Sequence, residues 1–155
     1  MRAKCAAALV AIVVLMNLSG GCATCALSQG APVVLPEDGA PADVVVRTYL
    51  NAVEARDDEA VRSLSAPPYY ERVHGWFNNP INAWASVKVF EVSEPHADEY
   101  GPGGYRQVQR VYVDIEVKRC NEEPPNDDRN YPYSFLVGRQ SEAASWKISD
   151  FGGLG

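Results

Sequence analysis

The sequence predicts an α+β domain in which helices near its start pack on a strongly bent, mainly antiparallel sheet of about four strands. Three observations carry this. From Gln107 to Arg119, apolar Val111, Val113, Ile115 and Val117 alternate with Arg110, Tyr112, Asp114, Glu116 and Lys118, the two-residue period of a half-buried strand. Upstream, Val44, Val45, Thr48, Tyr49, Ala52 and Val53 recur at helical spacing after Pro41, which suits a first helical turn. After Asn78-Asn79-Pro80 every apolar run is strand-like. The longest strand would run ~40 Å at ~3.3 Å per residue, so it is expected to bend or bulge around whatever it packs on.

The chain of 155 residues opens with Arg2 and Lys4, an unbroken apolar run from Ala6 to Met16, and then small and polar residues up to Cys22. The apolar run is too short to cross a bilayer and reads as a secretory signal over residues 1–21. Ser19, Gly20 and Gly21 before Cys22 resemble a bacterial lipobox, with Cys22 as the position to be acylated. Leu18 stands four residues before the cysteine rather than the usual three. The alternatives are an ordinary signal cut near Ala23 or Ala26, leaving a secreted soluble protein, and an uncleaved anchor. Residues 22–40 hold small residues and prolines without periodicity and read as a flexible tether. Residues 41–155 are the folded domain.

Within it, the first helix spans Pro41 to Arg56. Asp57 or Asp58 caps a second from Glu59 to Leu64, which Pro67-Pro68 ends, and a third covers Tyr69 to Phe77 with Tyr70, Val73, Trp76 and Phe77 buried. Strands follow at Ala83 to Val92, Tyr105 to Cys120, Tyr131 to Arg139 and Trp146 to Phe151, the second reached through a Tyr100-to-Gly104 turn.

Formal net charge is −6, with no basic stripe. Such a surface repels phosphate backbones, so no nucleic-acid partner is expected. The acidic loop Glu122 to Asp128 offers hard oxygen ligands, yet it lacks the ligand spacing and central glycine of a calcium loop. No metal and no cofactor is expected. Cys22 and Cys25 have redox spacing but sit at the leader's end, not on a strand–helix turn. With Cys5 lost and Cys22 acylated, Cys25 and Cys120 remain, to pair in an oxidising compartment or to stay as two thiols.

Helices followed by long antiparallel strands resemble the nuclear transport factor 2-like superfamily, the cone-like fold of polyketide cyclases and ketosteroid isomerases. The resemblance rests on Val45 to Ala52 with Arg56-Asp57 shortly after, the Val111-to-Val117 strand and the closing Trp146-Lys147-Ile148. It implies a first helix lying in the concave face of a bent sheet and strands meeting over a cavity. It also admits a homodimer through the sheet face. It implies no single activity, because this fold hosts enzymes, carriers and scaffolds alike.

Candidate catalytic residues are His74, able to act as a base near neutral pH, and Asp114, with Tyr112 or Tyr133 to bind an enolate-like oxygen. Against this, Asp114 shares its strand face with Arg110, Tyr112, Glu116 and Lys118, the composition of a solvated surface. His96 lies in an acidic loop and is expected to be exposed. Tyr70, Trp76 and Tyr133 are the candidate ligand-binding residues, with Tyr69, Trp84 and Phe135 beside them at the cone's mouth; core packing would use the same side chains. The reading is an exported, lipid-anchored, non-catalytic module on the outer face of the bacterial cytoplasmic membrane, binding a small apolar ligand or another envelope protein. The alternatives are a small isomerase or dehydratase using His74 and Asp114, and a secreted interaction domain.

Overall fold

A computed structural model describes residues 29–75, 79–99, 104–120 and 131–153. Helices α1 (Ala42–Ala55), α2 (Asp58–Leu64), α3 (Pro67–His74) and α4 (Pro80–Ala83) precede strands β1 (Trp84–Val92), β2 (His96–Ala97), β3 (Gln107–Arg119), β4 (Tyr131–Arg139) and β5 (Lys147–Gly153). The strands make one antiparallel sheet in the order β1-β3-β4-β5, with β2 also paired to β3. This is the α+β class expected, with the sheet left open. The leader, Cys22, Cys25, Trp76, Phe77, the Tyr100-to-Gly103 part of the turn and the acidic loop lie outside the described residues.

Helix α1 buries Ala42, Val45, Val46, Tyr49, Leu50, Ala52 and Val53. The expected stripe was narrower: Val44 is exposed and Thr48 only half-buried, while Val46 and Leu50 are enclosed. The reason is that α1 touches both the sheet and α2, so its apolar face must be wider than that of a helix with one neighbour. It ends at Arg56 in the left-handed conformation (φ 59°), whose N–H returns to the carbonyls of Ala52 and Val53. That backbone costs a side-chain-bearing residue about 1–2 kcal/mol. The Arg56 guanidinium offsets the cost by donating to the carbonyls of Ile81 and Trp84, which fixes the start of β1 against the helix.

Asp57 caps α2 by accepting from the Ala60 N–H at 3.0 Å, and it also accepts from the Val33 N–H at 2.8 Å. These two bonds hold its carboxyl below the usual carboxylate range. The segment expected as a tether is therefore bonded to the domain from Gly30 onward: the Gly30 N–H donates to Ala55 and Ser145 Oγ bonds Asp38. Pro67, expected to end a helix, begins α3 instead, because proline at the first helical position loses no bond. That start turns Tyr69 and Val73 inward and leaves Tyr70 half-buried, one residue away from the expected set. Asn79 caps the extra turn α4 by accepting from the Asn82 N–H.

Strand β3 follows its alternation, burying Val111, Val113, Ile115 and Val117. Strand β1 does not: register shifts after Trp84 and after Val89 place Trp84 and Val87 together in the core and leave Phe90 exposed. Each shift is a bulge that turns later side chains over. The Ala66 N–H donates to the Ile148 carbonyl at 2.7 Å, so the α2–α3 junction covers part of β5, an edge strand. Between helices and sheet, Tyr49 meets Phe135 edge-on and Phe151 stacks on Phe135, with Trp84 and Tyr133 beside them, at ring-centroid distances of 5.3 Å to 6.1 Å.

Candidate functional site

Each residue singled out from the sequence has a definite place, and they do not converge. His74, at the C-terminal end of α3, sets Nε2 2.9 Å from Asp58 Oδ1, not beside Asp114. Its ring lies 4.2 Å from that of Tyr70, whose hydroxyl donates to the same carboxylate at 2.8 Å. Arg62 closes the group by donating to the Tyr70 oxygen at 3.2 Å and resting over its ring. This cluster is a half-exposed latch between α2 and α3, with His74 and Asp58 side chains 33% and 46% accessible. The packing of α3 against α2 brings these four residues together, which helical spacing within either segment could not reveal.

Asp114 lies on the sheet face turned away from the helices, between Glu91 on β1 and Pro132 on β4. Its Oδ1 is buried without a hydrogen-bond partner among the described residues, and Pro132 has no N–H to offer. Tyr112 is exposed, with its ring 6.0 Å from that of His96, which is exposed as expected. Tyr133 packs against Trp84 and Phe151 in the core, and Tyr69, Trp84 and Phe135 are buried with it. These aromatics are core and do not line a mouth. Trp76 lies outside the described residues. Cys120 is disulfide-bonded, its partner being outside the described residues. A bridged sulfur has no proton to give, so its 3.8 Å approach to the Asn82 carbonyl is contact only.

A cleft of about 620 Å³ opens elsewhere, where the start of β3, the end of β4 and the residue before β5 meet. Its wall is built from Tyr105, Gln107, Gln109, Arg139 and Trp146, with Arg106 at the surface. The register pairs Gln107 with Arg139, and the Arg139 Nε–H donates to Gln107 Oε1 while Nη1 donates to the Glu142 carbonyl at 3.0 Å. The same guanidinium lies 4.3 Å above the buried Trp146 ring, a cation–π contact that fixes its plane. On the opposite side Asp98 accepts from Arg110 Nε at 2.7 Å, and Arg110 Nη1 donates to Ser134 Oγ. Glu99 completes that side.

Tyr105 stands where it does because of Gly138. A Cβ on Gly138 would meet the Tyr105 ring carbons at 2.3 Å to 2.7 Å, so the ring lies flat on bare backbone and burial raises its hydroxyl's pKa. Glycine inside a strand marks such a close approach, and that was the one signal in the sequence for this cleft. Gly138→Ala is expected to cost about 1–3 kcal/mol in urea denaturation, the usual range for forced overpacking. In a Tyr105→Ala background the cost should nearly vanish, and a cost that persists there would mean the ring is not what Gly138 accommodates.

Among the described residues the lining includes no histidine, cysteine or serine, and no group of three or more His, Cys, Asp or Glu is placed to hold a metal. What the cleft presents is fixed guanidinium, amide and phenol groups, which suit binding. No described helix is long and apolar enough to cross a membrane. Compared with known proteins, the chain matches no family model, no curated protein and no solved structure.

Proposed function

We propose that this chain is an exported, lipid-anchored, non-catalytic binding module of the bacterial envelope, with the cleft beside Arg139 and Trp146 as its ligand site. The observation that carries the binding part is the held Arg139 side chain, which three contacts restrain on the cleft wall. A preorganised polar group loses little freedom on binding. The ligand is polar rather than apolar, since the aromatics that would make an apolar mouth are already packed on one another. Export and anchoring rest on the short apolar leader and the small residues before Cys22. The nuclear transport factor 2-like cone remains the fold proposed, supported by the order of helices then antiparallel strands and by bulges that bend β1 and β5.

We propose Cys25 as the partner of Cys120. Gly30 is bonded to Ala55, Arg56 to Ile81 and Trp84, and the Cys120 N–H to Ala83 at 2.9 Å. Both chain segments thus meet at the same end of α1. Cys25 is five residues from Gly30, within a reach of about 18 Å, and an acylated Cys22 has no free thiol. The alternative of a catalyst would use His74 with Asp58 in place of Asp114, but a half-exposed latch offers a substrate little enclosure.

Intact mass of the membrane-extracted protein, before and after reduction and alkylation, tests the reading. The expected result is an N-terminal acylated Cys22, two alkylated cysteines gained only after reduction, and a small molecule retained in native mass spectrometry. An unacylated, empty chain would overturn the anchored binding module.

A further inference from the structure

Two arginines of the cleft, Arg139 and Arg106, bond no carboxylate among the described residues. Arg139 bonds only an amide oxygen and a backbone carbonyl, and the Arg106 side chain, adjacent through the Arg106 N–H to Arg139 carbonyl bond at 3.1 Å, forms no hydrogen bond or ion pair among the described residues. Arg72 and Arg110, by contrast, each hold an acidic partner. A desolvated or partly desolvated guanidinium gains from an anion, and its planar fork matches a planar oxyanion two bonds at a time. Arg139 has Nη2 left over after its three restraining contacts, directed by a plane that Trp146 sets.

We infer that the cleft binds the carboxylate group of a small, singly charged organic acid, with Arg139 as the fixed donor and Arg106 as the second. This rests on the cleft being the ligand site. Asp98 is neutralised by Arg110, but Glu99 is exposed and has no partner among the described residues. Glu99 lowers the net positive charge of the cleft, and the smaller dehydration cost of a single charge then favours a carboxylate monoanion over a doubly charged phosphate. The rest of the organic acid lies along Tyr105 and Gln109, a phenol and an amide able to donate or accept.

The test is a titration of the mature chain, followed by NMR at the Arg139 Nε–H and the Trp146 indole N–H. Sodium benzoate and sodium acetate are the carboxylate probes, inorganic phosphate the competing oxyanion and sodium chloride the ionic-strength control. Benzoate is expected to shift both signals saturably, chloride not at all. Arg139→Gln should weaken the response at the indole at least tenfold. Because Arg139 also packs on Trp146, Arg106→Gln serves as a second variant that disturbs no packing, and at least a threefold loss is expected. Shifts that do not saturate, that match those of chloride, or that survive in both variants overturn the inference, and a tighter response to phosphate overturns the choice of carboxylate. Retention of a non-acidic molecule on the extracted protein would leave the binding module standing and sink only this assignment.

Discussion

Phe135→Ala is expected to destabilise the domain by about 3–5 kcal/mol, the range for removing a fully enclosed aromatic ring. Phe135 has no accessible surface and stands at the centre of the layer between helices and sheet. Tyr49 of α1 meets its ring edge-on at 5.7 Å, and Phe151 of β5 stacks on it at 5.3 Å. Truncation therefore removes the group on which a helix and a strand both rest, and its neighbours are held by other bonds and cannot collapse into the space. Tyr49, for one, is hydrogen-bonded through its hydroxyl to Tyr69 at 3.2 Å. Small domains have about 5–15 kcal/mol in total, so the variant should lie close to unfolding at room temperature. Urea denaturation of Phe135→Ala and Phe135→Leu reads this directly, with the leucine variant losing much less. A loss below about 1 kcal/mol for alanine would show that the ring is not enclosed.

High pH should unfold the protein through the same layer. Burial pushes the Tyr49 hydroxyl up to about 12, against a smaller opposing effect of its bond to Tyr69. Tyr69 is raised well above its ordinary value, by burial first and then by Tyr49. In the unfolded chain both ionise near pH 10. Above that pH the unfolded state holds fewer protons than the folded one, so stability falls as pH rises. The contribution is complete below about pH 10 and is lost on the way to 12, where Tyr49 alone accounts for about 3 kcal/mol. Denaturation midpoints measured from pH 9 to 12 should drop steeply. The Tyr49→Phe, Tyr69→Phe double variant should flatten much of that drop, while Tyr112→Phe, at an exposed position, should not. A double variant with the native slope would show that the buried pair does not control alkaline unfolding.

The strand β3 was legible because its information is local: two-residue alternation over Gln107–Arg119 states which side is buried whatever packs there. Helices α1 to α3 were legible in place but not in rotation or boundary. Val46 and Leu50 are buried because α2 lies across α1, and Tyr69 rather than Tyr70 turns inward because Pro67 opens the helix. Neither cause is visible inside the segment it acts on. The bulges in β1 show the same thing, since an extra residue in a pairing is defined only by the partner strand.

Partner choice was the part that local pattern could not contain. His74 had acidic residues in many directions along the chain, and what selected Asp58 was the packing of α3 against α2. The cleft needs Gln107, Arg139 and Trp146 side by side, and the β3–β4 register together with the cation–π contact decides that. By itself, then, the amino-acid order determined the α+β class, the face of β3 that is buried and the expectation of an exported chain with Cys22 at its anchor, because each follows from periodicity or composition within one stretch. Tertiary structure alone decided which guanidinium groups stand without carboxylates and which tyrosines are kept neutral, because charge pairing and desolvation are properties of neighbours in space.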